Sequence, residues 1–483
     1  MNVWQKPIRT ITSTTIINLI ASSAIYAAGF SLYTESSGEA TGNFAAGIAA
    51  EAADATIGWY NPAGLVLIPR PQLVLGGVGI FPVAKITGIS TFSTLNFDSY
   101  QQTFANLNGA ENAFVPSVHF AYPWNKDLTL ALSIVSPFGL STKWSENGPV
   151  RYEATTSDLM TVNISPEAGL RVNDYFAIGA GLDLQYARVK FNRMLGSPAL
   201  LAEFTSIIPS LYPAILDSLS YNKGNAFDVG FHVGVMAMFN DNHTRIGLNY
   251  QSRVGHSFKG YSKLTGRLVD PNFNINNPAS IPALNPDAAA IDNNLTSNRI
   301  QFPDVLTLSV YQDVNNKLAI LGSIVYTGWS SFKKIELNNV MAYIAPSLKS
   351  VTSTSLENFR NVWRFAVGAN YDINQRLMLR LGTGYDQTPT IYAERSVRLP
   401  DSSRWALAIG GRYQINTKFL VDLGYTRLFM PGHSPLNRTD VAGVNNNGVV
   451  TSNYNVNARA TGYANLVGAQ LTWLIDQEAP VTI

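Results

Sequence analysis

The chain has 483 residues, no cysteine, and 34 Lys+Arg against 32 Asp+Glu. Charged residues are 14% of it, well under the ~25% of ordinary soluble domains, while aromatic residues are 11% and glycines number 37. With a mean hydropathy of only +0.04, these values exclude a charge-rich disordered chain, a disulfide scaffold, a multi-helix membrane bundle and a basic nucleic-acid binder, and they suit a β-rich protein facing both lipid and water.

Residues 1–27 read as a secretory signal. Lys6 and Arg9 precede a short apolar core from Ile16 to Ala28, with small residues at its end. The core is too short for a membrane-spanning helix. Without this leader the chain carries 32 basic and 32 acidic residues, so the mature protein is near neutral. Export and the lack of Cys suit the periplasm or cell envelope.

Residues 28–70 lack sustained period-two character and are rich in Ala, Gly and short polar residues. A compact segment of this kind ahead of a barrel is expected inside its lumen. From residue 71 to 483 the chain alternates. In Trp363–Asp372, Trp363, Phe365, Val367, Ala369 and Tyr371 oppose Arg364, Ala366, Gly368, Asn370 and Asp372. Period two gives one lipid face and one lumen face. About fourteen such segments follow, each long enough to cross the hydrocarbon core as a tilted strand of ~9–11 residues.

Short polar turns are expected at 125–127, 173–174, 240–243, 314–317, 373–375 and 415–417. Long links alternate with them, at 84–111, 142–156, 193–223, 259–298, 333–356, 393–401 and 431–462. Tight periplasmic turns and long external loops are the pattern of an outer-membrane barrel. Lipid offers no hydrogen bonds, so the strands must close on one another. The expected fold is all-β: a transmembrane antiparallel barrel of about fourteen strands, plugged by a small N-terminal hatch. Tyr122, Trp124, Tyr326, Trp329, Tyr371, Trp405 and Tyr413 are candidates for the interfacial aromatic girdles.

Three groups of residues carry a specific resemblance. Ala28-Gly29-Phe30 opens the hatch segment, and Asn61-Pro62-Ala63 closes it. Tyr326–Phe332, Gly384–Pro389 and Leu399–Arg404 follow in the second half. The chain resembles the FadL family of outer-membrane transporters for long-chain fatty acids and other hydrophobic compounds. That resemblance implies a fourteen-stranded barrel with an N-terminal hatch, in the outer membrane of a Gram-negative cell. It implies fatty acids or similar hydrophobic molecules as cargo, and outer-membrane lipid and lipopolysaccharide as surroundings. It also implies periplasmic chaperones and the barrel-assembly machinery as assembly partners. No nucleic acid, cofactor or metal is expected.

The resemblance points to Arg193 and Arg360 as ligand carboxylate-binding residues. Arginine suits that task through its bidentate fork, and strand parity places both on the lumen side if no bulge intervenes. Pro137, Phe138 and Gly139 interrupt the third strand, since Pro lacks a ladder donor and Gly favours a bulge. Family resemblance makes this kink a lateral opening. The loop after Ser197-Pro198 has apolar residues at helical spacing, split by Pro209 and Pro213. The expected function is passive, ligand-gated uptake by loop capture, hatch movement and lateral release. Aromatic-hydrocarbon uptake and a general diffusion porin are the alternatives. An enzyme is not expected: His232, four residues after Asp228, has no serine elbow nearby and reads as an interior histidine.

Overall fold

The computed structural model describes residues 30–476. The leader 1–27, with Ala28 and Gly29 of the hatch start, lies outside the described residues. Fourteen strands cross the wall. In chain order they are β1 (Gln72–Thr94), β2 (Ala113–Pro123), β3 (Leu128–Val135), β4 (Thr156–Arg171), β5 (Phe176–Leu195), β6 (Ser218–Phe239) and β7 (Thr244–Gln251). The second half supplies β8 (Val305–Asp313), β9 (Leu318–Thr327), β10 (Val362–Asn374), β11 (Leu377–Asp386), β12 (Arg404–Gln414), β13 (Phe419–Phe429) and β14 (Val450–Leu474).

Each strand pairs antiparallel with its sequence neighbours, and β1 pairs with β14 from Gln72↔Leu474 to Thr94↔Ser452. The wall is therefore closed, as the hydrogen-bond argument requires. Alternation sets the two faces. On β6, Phe227, Val229, Phe231, Val233 and Val235 are exposed, while His232 and Met236 are buried. On β5, Phe176, Ile178 and Leu182 face lipid and Asp183 and Gln185 face inward.

The short turns owe their form to asparagine. The Asn125 side-chain oxygen accepts from the amides of Asp127 and Leu128, both at 2.9 Å. Asn173, Asn315, Asn374 and Asn416 make the same pair of bonds in their turns. Such Asx turns add side-chain bonds to the backbone bond that closes the reversal, as from the Asn125 amide to the Leu128 carbonyl at 3.2 Å.

The long links depart from expectation. Several are not loops but hairpins that extend the wall outward. Tyr100–Asn108 pairs with the top of β1. Val254–Thr265 pairs with the top of β6 and with Ala289–Phe302. Lys334–Ile344 pairs with Ser347–Leu356, and Ser434–Val444 lies on β14. Above the membrane both faces of a strand meet water or loops, so the period-two signal fades although pairing continues. Only Pro198–Phe204 of the expected helical loop is helical.

The lumen holds residues 30–67. Short helical turns cover Glu39–Gly42, Ile48–Glu51, Ile57–Tyr60 and Pro62–Leu67, all of them largely buried. Trp124, Tyr371, Trp405 and Tyr413 lie exposed on the wall, in keeping with girdle positions. Trp329 does not: it is 1% exposed and turned inward, because the wall is interrupted there by the short Trp329–Ser331 turn.

Candidate functional site

Asn61 anchors the hatch. Its side-chain nitrogen donates to the Ala49 carbonyl at 2.8 Å and to the Val235 carbonyl of β6 at 3.1 Å, and its oxygen accepts from the Ala63 amide at 3.2 Å. Pro62 then starts a helical turn, where its missing N–H costs nothing. Glycines in the wall let this segment come close. A Cβ on Gly234 would sit 1.9 Å from the Asn61 oxygen, and one on Gly247 would sit 1.8 Å from the Ala49 carbonyl oxygen.

A charge network fixes the other side of the hatch. Arg412 of β12 reaches Glu39 at 2.6 Å, Asp54 at 2.7 Å and Asp422 at 2.9 Å. Arg380 of β11 reaches Glu51 at 2.6 Å and Glu39 at 3.0 Å. All six groups are shielded from water, where attraction is strong and an abandoned partner is costly. Glu39, Asp54 and Asp422 cluster closely enough for a metal, but Arg412 already engages all three. On β6, His232 bonds Asp183 at 2.9 Å and the hatch carbonyl of Gly58 at 3.2 Å. It is an interior histidine, held by Asp183 rather than by the sequence neighbour Asp228.

The start of the hatch meets the break in β3. The β3–β4 ladder stops at Val135↔Asn163 and resumes at Gly139↔Met160. Residues 136–138 thus face two residues, and the extra one makes a bulge. Thr161 satisfies the freed backbone, its hydroxyl oxygen accepting from the Phe138 amide at 3.0 Å. The Gly139 amide donates to the Phe30 carbonyl at 2.7 Å. The Phe30 ring lies among Trp329, Phe332 and Phe359, with centroids at 5.5, 5.1 and 5.8 Å.

Two voids adjoin this junction. One is apolar and is lined by Phe30, Leu140, Val189, Phe191, Phe258 and Phe302. The other lies lower, against Tyr33, Trp59, Pro137, Phe138, Asp183 and Arg364. Arg364, inward as parity predicts, donates to the Phe44 carbonyl at 2.8 Å and has two further nitrogens without a hydrogen-bond partner among the described residues.

Cations stand above the apolar void. Arg398 lies over the Phe191 ring at 5.8 Å and donates to the Ser157 hydroxyl at 2.9 Å. Arg193 acts electrostatically on Arg398 and on Asp440, and among the described residues it forms no ion pair within 4.0 Å. Arg360 is placed differently. It is exposed, and its Nε donates to the Thr388 carbonyl at 3.1 Å. No contact joins it to Arg193 among the described residues. Sequence reasoning missed Arg398, whose loop carries no periodic signal.

Two loop carboxyls lie near Arg398 and Arg438. Burial pushes Glu153 up to about 7, with Asp440 adding to the rise and Arg438 opposing it. Burial likewise pushes Glu357 up to about 7 against Arg438.

A closed barrel with a lipid-facing wall, a wedged hatch and an apolar chamber defines a plugged outer-membrane channel. Residues 18–474 match the family described as outer membrane protein transport protein (OMPP1/FadL/TodX), and the chain belongs to that family. It is 29% identical over 440 residues to the long-chain fatty acid transport protein of Salmonella typhi, covering 89% of this chain and 93% of that one. The crystal structure of a Pseudomonas aeruginosa FadL homologue superposes with a TM-score of 0.73 at 22% identity, covering 93% of this chain and all of that one. The Ralstonia pickettii toluene transporter TbuX superposes at 0.58 and 16% identity, covering 92% and 98%. The protein is thus a FadL-type transporter of the Gram-negative outer membrane and not an enzyme.

Proposed function

We propose that the protein takes up long-chain fatty acids passively. The external loops capture cargo, the chamber above Phe30 holds it, and a shift of the hatch releases it sideways at the broken third strand. The supporting observation is the pairing of an aromatic chamber with Arg193, a guanidinium that forms no ion pair within 4.0 Å among the described residues and meets the charge of Asp440 only at longer range. An alkyl chain fills the apolar part, and its carboxylate meets the cation end, where charge-assisted hydrogen bonds are strongest.

Arg360 is the second cation of this reading. From its exposed position it meets the carboxylate on the way in. Pro137, Phe138 and Gly139 form the side exit, because the ladder there is already open and is closed over by the Phe30 carbonyl, Thr161 and the packing of the Phe138 ring on Phe302 and Trp329. Ala28, Gly29, Phe30, Asn61, Pro62 and Ala63 act as the moving plug.

Aromatic-hydrocarbon uptake is the second reading, favoured by the fully aromatic box around Phe30. Arg193→Ala with Arg360→Ala separates the two. The double variant is expected to lose affinity for oleate by about tenfold or more, the size of one charge-assisted bond, with toluene and hexadecane binding unchanged. Oleate bound equally by variant and parent overturns the carboxylate assignment.

A further inference from the structure

A basic surface stands on the outer wall where β5, β6 and the Val254–Thr265 extension meet. Strand register places its members. Lys190 lies directly opposite Lys223, and Lys223 lies opposite Tyr261. One step toward the membrane, Arg188, Asn225 and Lys259 form a parallel row. One step away from it, Tyr221 stands beside Lys263. The Tyr221 and Tyr261 rings stack at 5.8 Å with an interplanar angle of 24°.

This surface faces outward. Phe227 and Val229 continue the same face of β6 downward and are exposed, as is Leu182 on β5. Five cations therefore sit just above the apolar band, at the level of the outer-leaflet headgroups.

Their charges are scarcely compensated. Asp158 on β4 is in register with Lys190, yet its ion pair is with Arg188 at 3.5 Å. Nearby Asp228 is taken by Arg299 at 2.8 Å. Asp292, in register with buried Ser262, accepts the Ser350 hydroxyl. Among the described residues, Lys190, Lys223, Lys259 and Lys263 have no carboxylate oxygen within 4.0 Å. Like charges directly opposed on a strand pair destabilise the sheet. A wall that places Lys190 against Lys223 is relieved by an anion lying between them.

We propose that this surface binds a phosphorylated lipid headgroup of the outer leaflet, the phosphates of lipid A. Ammonium groups fanning up from the apolar band meet phosphate oxygens, while Phe227 and Val229 below contact acyl chains. The stacked tyrosines offer a flat face and two hydroxyls to the sugar. The surface lies outside the lumen, so the inference is independent of the cargo reading.

The test uses the purified full chain in detergent, with lipid binding read by native mass spectrometry. The wild type is expected to retain bisphosphorylated lipid A. Lys190→Gln, Lys223→Gln, Lys259→Gln and Lys263→Gln combined should weaken binding by nearly a thousandfold, since each lysine near an anionic surface contributes about fivefold. Lys126→Gln, Lys317→Gln and Lys418→Gln on the periplasmic turns should leave binding unchanged. Equal binding by the four-lysine variant and the wild type overturns the proposal. If that variant does not fold, the wild type decides: lipid A stripped of phosphate should bind at least tenfold more weakly than the intact lipid, and equal binding overturns the proposal. Inorganic phosphate or phosphatidylglycerol competing as well as lipid A would also overturn it, by showing a site for any anion.

Discussion

The Gly139 amide donates to the Phe30 carbonyl at 2.7 Å, so the first described residue of the hatch hydrogen-bonds the far side of the break in β3. This bond joins the plug to the break in the wall. Phe30 is also held by its ring, which is 6% exposed among Trp329, Phe332 and Phe359. Removing the ring leaves a cavity that costs about 3–5 kcal/mol for a buried Phe. Phe30→Ala should therefore raise amide exchange across residues 30–37 by about a hundredfold, with exchange in β10 to β14 unchanged. Unaltered exchange at the hatch start would show that the ring does not hold it.

The charge network gives a second prediction. Arg380→Met leaves Glu51 without its guanidinium at 2.6 Å and Glu39 with Arg412 alone, its contact to Arg380 at 3.0 Å being lost. Breaking a buried pair costs about 3–5 kcal/mol, and the hatch, not the wall, bears it. Single-channel conductance in planar bilayers should rise as the hatch loosens. Adding Glu51→Gln should restore part of the closed state.

Close approach makes the third case. Gly247→Ala would place a methyl 1.8 Å from the Ala49 carbonyl oxygen, whereas Gly322→Ala meets nothing nearer than 3.8 Å. The first should expose the hatch to protease, and the second should not, although both add one methyl to the wall. Limited proteolysis of the two folded variants checks this.

Binding of an anionic probe should depend on pH. Glu153 and Glu357, both raised to about 7, are charged above that value and neutral below it. Above it they offset the nearby arginines; below it they do not. A surfactant that stays ionised throughout, dodecyl sulfate, should bind more tightly at pH 6 than at pH 8. Combining Glu153→Gln with Glu357→Gln should flatten the profile. Titration calorimetry at the two pH values measures it.

The membrane made much of this fold legible. Lipid outside and polar lumen inside impose period two on residues such as Trp363 to Tyr371, and Asn-led turns mark the periplasmic end. The hairpins above the membrane, such as Tyr100–Asn108, lack that constraint and read as loops. The hatch contacts were hidden for another reason. Glu39 and Arg380 are 341 residues apart in sequence, and nothing local to either announces the other. Trp329 looked like a girdle residue because its neighbours are strand-like, yet the wall breaks beside it. Arg193 lies beyond a slip in alternation at Lys190 and Phe191, so parity alone could not settle its side.

The most direct test of the account is an experimental structure with bound oleate. The account predicts an alkyl chain among Phe30, Phe191 and Phe302, with the carboxylate within about 3 Å of the Arg193 guanidinium. A chamber without oleate, or a carboxylate turned away from Arg193, would contradict it.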